Sequence, residues 1–461
     1  VRRLQDCEEQ VECALICPRP DGLALFRYAL AMGKQVVLIS DMFLSRRSIE
    51  TLLDKQGIRG YAGLYLSSDI GVRKDSGQLY RYVLEQLGVV PDNLLMIGDN
   101  EYSDLQIPMN LGINTCHVLR PVEMAAAAPR FARILERFRH GDMNSQLVLG
   151  LVVKRLFHPV FYDYFAPANF IRCGAEDVGY AVVGPLIVAF TQWLLAQAKT
   201  DQITTLYFLA REGKLLKEVY DRLASVTPGA AAARYLVVSR RAMTVPMTKT
   251  LDDIFSIART DYLRSDLAGF LFYRFGIELD SAELVELARS GLWPTSRKVE
   301  VKDGNIHHLK PVLEAIADRI QARATVEWPS LMAYLQQMGL DQLETGAVVD
   351  VGYSATIQGR LSKIIGKGIH GYYLLTSAKA KQIGDDYGVL ARGCYGEYLV
   401  PGTNASPLWR HSFELEMLLR IEGREVLEEQ LVARLVGRFE VDGLDLDQRE
   451  VALTFLRRPH L

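Results

Sequence analysis

The chain has 461 residues, 49% of them hydrophobic and 23% charged, with a formal net charge of −2. This length implies two or three domains of ordinary globular composition, and the near-neutral balance argues against a nucleic-acid or polyanion partner. The six cysteines are scattered, none with a Cys or His at zinc spacing, and are too few for a disulfide scaffold, so a reducing, cytoplasmic setting is expected.

The first residues, "RRLQDCEEQVECAL", have a helical pattern. They follow a Val rather than a Met and contain no secretory signal, which reads as the start of a fragment. From Pro20 to about Val118, helix-like and strand-like runs alternate. "DGLALFRYALAMG" predicts a helix closed by Gly33, and "QVVLIS" a strand. They are followed by the helix "SRRSIETLLDKQG", the strand "GLYLSS", the helix "SGQLYRYVLEQLG" and the strand "NLLMIG". The helix "DLQIPMNLG" and the strand "NTCHVL" end the series. Alternation of this kind predicts a Rossmann-like α/β core with a parallel sheet over about 20–121. Residues 122–175 read as a helical connection.

A second α/β domain is expected over 176–461, with strands "TTLYFLA", "RYLVVSR", "GAVVDVG" and "HGYYLLT". Helical periodicity dominates about 250–340, which reads as a helical insertion. The apolar run "VGYAVVGPLIVAFTQWLLAQA" is long enough to span a membrane, but Pro185 and Gln192 interrupt it. It is expected as a buried core helix, with no membrane span.

Three polar clusters stand at predicted strand ends of the first domain. "LISDMF" places Ser40 and the amide of Asp41 where a strand stops, "GVRKDSG" supplies Lys74 before a helix, and "IGDNEYSD" supplies Asp99 and Asp104. A hydroxyl, backbone amides and a lysine suit a phosphoryl group, and two carboxylates suit Mg²⁺. Phosphoryl transfer depends mainly on such positioning and electrostatics.

The run "LISDMF…RKDSGQLY…IGDNEYSD" resembles the haloacid dehalogenase superfamily over about residues 20–120. It is similar to a predicted-hydrolase branch of that family that carries a further C-terminal domain. The resemblance implies an Mg²⁺-dependent phosphohydrolase acting on a small phosphorylated substrate, such as a sugar phosphate. Ser40 and Lys74 would be catalytic, Ser40, Asp41 and Lys74 would bind phosphate, and Asp99 and Asp104 would hold the metal. It also implies association with surface-polysaccharide glycosyltransferases, and makes residues 1–19 the remnant of a helical cap. The chain departs from the family pattern before Ser40, where no Asp-x-Asp nucleophile motif occurs. We expect that motif upstream of Val1, on a central strand whose absence leaves two strand edges unpaired. A non-catalytic phosphate-binding domain is the other reading. Asp41 is expected to point away from the site, beside a ligand-facing Ser40.

The second half has its own strand-end clusters: Arg211, Glu212 and Gly213 after "LYFLA", Arg240 after "YLVVS", and Asp350, Gly352, Ser354 and Thr356 in "VVDVGYSAT". Glycine lets a backbone approach a ligand, hydroxyls beside a helix start favour an anion, and arginines grip phosphate. The order of these pieces resembles phosphoribosyltransferases, without that family's paired acids. Two readings stand: a transferase or binding site for a phosphorylated or nucleotide-linked sugar, or buried ion pairs with Ser354 and Thr356 capping a helix. "PLWRHSFELEMLLRIEG" reads as amphipathic core.

Overall fold

A computed structural model describes residues 2–157, 175–294, 296–400 and 406–419. The chain divides into two units, Val1–Pro185 and Leu186–Leu461.

The first unit is α/β, with strands shorter than the apolar runs suggest. β1 (Val37–Ser40) pairs in parallel with β2 (Gly63–Leu66), which puts Ser40 opposite Leu66. β3 (Leu95–Gly98) pairs in parallel with β4 (Asn114–His117). Where one sheet was expected, the four strands form two separate pairs. Among the described residues β1 and β3 each have a single strand neighbour, and Leu95 and Ile97 of β3 are exposed.

The helices follow local chemistry. Pro20–Ala31 starts on proline and is followed by Gly33 at φ 70°, a turn that favours glycine. Arg46–Lys55 is capped by Ser45, whose hydroxyl accepts the Ser48 amide. Gln78–Leu87 buries Leu79, Tyr80 and Val83. The expected cap remnant, Arg2–Leu15, lies against Arg46–Lys55: the Ser48 hydroxyl donates to Glu9 at 2.7 Å and Gln56 Nε2 to the Ile16 carbonyl at 2.8 Å. In the connecting region, Pro121–Ala127, Pro129–Phe138 and Met143–Leu156 enclose Met124, Phe131, Val153 and Phe157.

The second unit contains β5 (Thr205–Leu209), β6 (Ala232–Leu236), β7 (Tyr262–Ser265) and β8 (Val299–Val301). β9 (Gly346–Asp350), β10 (His370–Tyr373) and β11 (Ala391–Gly393) follow. Five of these form a parallel sheet in the order β11-β10-β9-β5-β6. The central β5 and β9 carry near-continuous apolar sequence because helices cover both faces of such a sheet. Tyr207, Leu209, Val348, Leu361 and Tyr373 lie in one buried cluster.

The insertion is mainly helical, as its periodicity predicts, with helices including Leu251–Ala258, Leu267–Phe275 and Ala317–Gln337. It also contains the antiparallel pair β7 and β8, too short to read from alternation. Ile254, Phe270, Trp293, Val299 and Leu313 give it a core of its own. The apolar stretch forms Glu176–Thr200, which is long and apolar enough to cross a membrane. Expected as a buried core helix, it has 28% of its apolar window buried, with Ile187, Phe190, Leu194 and Ala198 on the covered face.

Candidate functional site

In the first unit, three strand-end segments meet at Lys74. The Lys74 ammonium donates to Asp104 Oδ1 at 2.5 Å, with side chains only 11% and 4% exposed. The Lys74 amide donates to both carboxylate oxygens of Asp41, at 3.0 and 3.2 Å. The loops after β1, β2 and β3 are thereby tied together at the carboxyl ends of their strands, where open α/β sheets bind ligands. Asp41 does not point away as expected: its carboxylate faces the Lys74 loop. Ser40 ends β1, and its hydroxyl has no hydrogen-bond partner among the described residues.

Asp104 is held from several sides. Its Oδ2 accepts the Asn100 amide at 3.1 Å, and its Oδ1 accepts the Ser103 hydroxyl at 3.2 Å as well as Lys74. The Asn100 side chain accepts the Tyr102 and Ser103 amides and so caps the wide π-helical turn Glu101–Gln106. Gly98 leaves room for this arrangement, since a Cβ there would stand 2.6 Å from the Asp104 side chain. Tyr80 closes the floor, its hydroxyl donating to the Ser103 carbonyl at 2.7 Å. Burial, then the Asp104 and Asp41 charges, hold its proton far above the usual tyrosine range.

Asp99 differs from Asp104. It is exposed at the end of β3, and among the described residues its carboxylate has no hydrogen-bond or ion-pair partner. Mg²⁺ is commonly held by one or two carboxylates together with water and substrate phosphate, so Asp99 fits it. Asp104, expected as a second ligand, has both oxygens engaged by protein donors and is the counter-charge of Lys74. Among the described residues no three His, Cys, Asp or Glu side chains group as a metal cage.

In the second unit the predicted residues gather at the ends of β5, β6 and β9. Asp350 ends β9, and its Oδ1 accepts the Val351 amide at 2.8 Å. Burial, then the Glu212 and Glu416 charges, raise its carboxyl well above the usual aspartate range, against the opposing charge of Arg240. Glu212 is buried, and its Oε2 accepts the Arg211 amide at 3.2 Å. Gly213 serves packing, since a Cβ there would lie 2.9 Å from the Phe208 backbone; at Gly352 a Cβ would meet nothing within 4 Å. Ser354 and Ser377 hydroxyls lie 3.2 Å apart. Thr356 is the first residue of the helix Thr356–Ile365, which is capped by neither Ser354 nor Thr356: Ala355, at φ 52°, holds the cap position. No ion pair forms at Arg211 or Asp350 among the described residues.

The paired arginines of "SRRAM" divide. Arg240 is exposed, whereas Arg241 is buried and donates to Glu327 Oε1 at 2.7 Å, an oxygen that also accepts from Arg323 at 2.6 Å. Four contributors escaped the sequence reading: Tyr80, Arg360, Thr244 and Glu416. Arg360 follows Thr356 by one helical turn, a spacing that could have drawn it into the cluster. Glu416 lies in the segment read as plain core. The Tyr353 hydroxyl donates to the Ser412 carbonyl at 3.1 Å and its ring meets Trp409 edge-on at 5.4 Å, which brings Ser412–Leu419 to the sheet end. Residues 420–423 of that stretch lie outside the described residues.

Comparison with known proteins bears on the first unit. Residues 2–108 match the family model of the haloacid dehalogenase-like hydrolases. The chain is 33% identical over 107 residues to the pyrimidine 5′-nucleotidase YjjG of Escherichia coli (strain K12), covering 22% of this chain and 46% of that protein. The chain thus spans about half the length of the curated relative it matches. With Ser40 and Asp99 at the ends of parallel strands and Lys74 in the turn before Gln78–Leu87, the N-terminal part of this chain belongs to the haloacid dehalogenase superfamily.

Proposed function

We propose that the first unit is the phosphoryl-handling part of an Mg²⁺-dependent phosphohydrolase for a small phosphorylated metabolite. The observation that carries this reading is the junction at Lys74, where the loops after three strands are fixed around one buried ammonium. The substrate class is a sugar phosphate or, given the E. coli relative, a pyrimidine nucleoside monophosphate.

In this reading the Ser40 hydroxyl and the Asp41 amide bind phosphoryl oxygens, and Lys74 offsets their charge while Asp104 and the Asp41 carboxylate fix its position. Asp99 would hold Mg²⁺, which supplies charge neutralisation at the phosphate when bound. The nucleophile is the remaining part, because residues before Ser40 contain no Asp-x-Asp pair. We further propose a cytoplasmic setting and association with glycosyltransferases of surface-polysaccharide assembly, as the family resemblance implies.

The test is aryl-phosphate hydrolysis by the full chain with and without Mg²⁺, with Asp99→Asn as control. Turnover that requires Mg²⁺ and disappears in Asp99→Asn would support a phosphohydrolase but overturn the upstream placement of the nucleophile, which would then lie within these residues. Phosphate binding without turnover would reduce the first unit to a binding domain. The second unit would then be the candidate transferase for a phosphorylated or nucleotide-linked sugar, a role favoured by the polar residues gathered around Asp350.

A further inference from the structure

The five-stranded sheet of the second unit reverses direction once. The chain runs from β5 outward to β6, then crosses to β9 on the other side of β5 and continues through β10 to β11. In doubly wound sheets of this order, ligands bind beyond the carboxyl ends of the strands at that reversal, here between β5 and β9.

Three arginines surround the point: Arg211 after β5, Arg240 after β6, and Arg360 in the helix that follows β9. Among the described residues none of the three forms an ion pair. The Arg360 side chain is joined to the Arg240 backbone through one hydroxyl. Arg360 Nη1 donates to Thr244 Oγ1, and Thr244 Oγ1 donates to the Arg240 carbonyl. Burial, then the Arg240 charge, lower the pKa of Arg360 from its usual range, the mark of a guanidinium short of counter-charge.

The surroundings suit an anion with hydroxyl groups attached. Thr356–Ile365 directs its N-terminal amides and positive dipole end to this place. The loop before it is open at Gly352. At the ends of β9 and β10, Asp350, Tyr353, Ser354 and Ser377 carry groups that can exchange hydrogen bonds with hydroxyls.

We propose that the reversal point of the second unit binds a phosphorylated sugar, with its phosphate between Arg240 and Arg360 at the start of Thr356–Ile365 and its hydroxyls toward Asp350. The site does not depend on the phosphohydrolase reading of the first unit. Its two guanidiniums would supply the counter-charge a phosphate needs, with that of Arg360 held by Thr244 before the phosphate arrives.

Hydrogen–deuterium exchange of the full chain tests this with three probes: inorganic phosphate, glucose 1-phosphate and glucose. Glucose 1-phosphate should protect residues 210–217, 239–245 and 351–361, phosphate should protect the latter two more weakly, and glucose should protect none. Arg240→Gln and Arg360→Gln should each weaken glucose 1-phosphate binding by about tenfold or more, as expected for the loss of a charge-assisted hydrogen bond. Protection confined to residues 40–43, 72–76 and 98–104 would assign all binding to the first unit and overturn the proposal. So would the absence of protection, or protection unchanged in both variants. Phosphate binding as tightly as glucose 1-phosphate would refute the sugar assignment.

Discussion

Lys74 and Asp104 show what one buried pair can decide. With side chains 11% and 4% exposed, neither charge can be left alone without cost. Asp104→Asn should destabilise the first unit by about 3 to 5 kcal/mol, because it strands the ammonium. This should appear as a fall in Tm on the order of 10 °C. Replacing both residues together, Lys74→Met with Asp104→Leu, should recover much of the stability while phosphate binding stays lost. Recovery of binding as well would show that Lys74 does not touch the phosphate. Asp350 gives a pH-dependent prediction. Its folded-state pKa lies above the ordinary 3.8, so its contribution to stability is fully present below that value and is lost as pH rises through the raised one. Asp350→Asn cannot lose a proton, so its Tm should gain on the parent chain as pH rises from about 4 to 8. A constant Tm difference across that range would contradict the buried, acid-facing environment formed by Glu212 and Glu416.

Strands and helices differ in how completely this chain satisfies them. Ser45 caps Arg46–Lys55 with its own hydroxyl, and Thr250 and Asp253 cap Leu251–Ala258 reciprocally, so these helices are locally consistent. β1 and β3 are not. Each pairs on one side only among the described residues, and β3 turns Leu95 and Ile97, 56% and 41% exposed, toward solvent. Unpaired edges with apolar side chains template association between chains. The isolated chain should therefore self-associate as concentration rises, and Ile97→Lys should suppress this in light scattering while circular dichroism stays unchanged. An equally associated Ile97→Lys variant would mean that the contact lies elsewhere.

At the scale of the molecule, the two units should unfold as two events, since chains of several domains rarely melt in one step. Asp104→Asn should shift one calorimetric transition and Glu327→Gln the other, because the Arg241–Glu327 pair, with both side chains 2% exposed, lies wholly in the second unit. Movement of both transitions by either variant would show that the units are energetically coupled.

Much of this organisation was legible in the sequence, for local reasons. Apolar runs ending in polar clusters mark strand ends in any parallel sheet, so Ser40, Asp99, Arg211 and Asp350 could be assigned to strand ends from the sequence. Three- and four-residue strands such as β7, β8 and β11 could not be read, because so few residues show no period.

What only the tertiary structure decided is which like residue does which task. Asp99 and Asp104 stand in one turn, and Arg240 and Arg241 are adjacent; nothing local separates the members of either pair. Contacts from distant segments separate them. Lys74, 30 residues away, takes Asp104 and leaves Asp99 open, and Glu327, 86 residues away, takes Arg241 and leaves Arg240 without an ion pair among the described residues. The sequence by itself determined the elements and the polar residues at their ends, because both follow from neighbours along the chain. Which of those residues remain free for a ligand depends on the strand order and on the loops it brings together, and that is a property of the folded molecule.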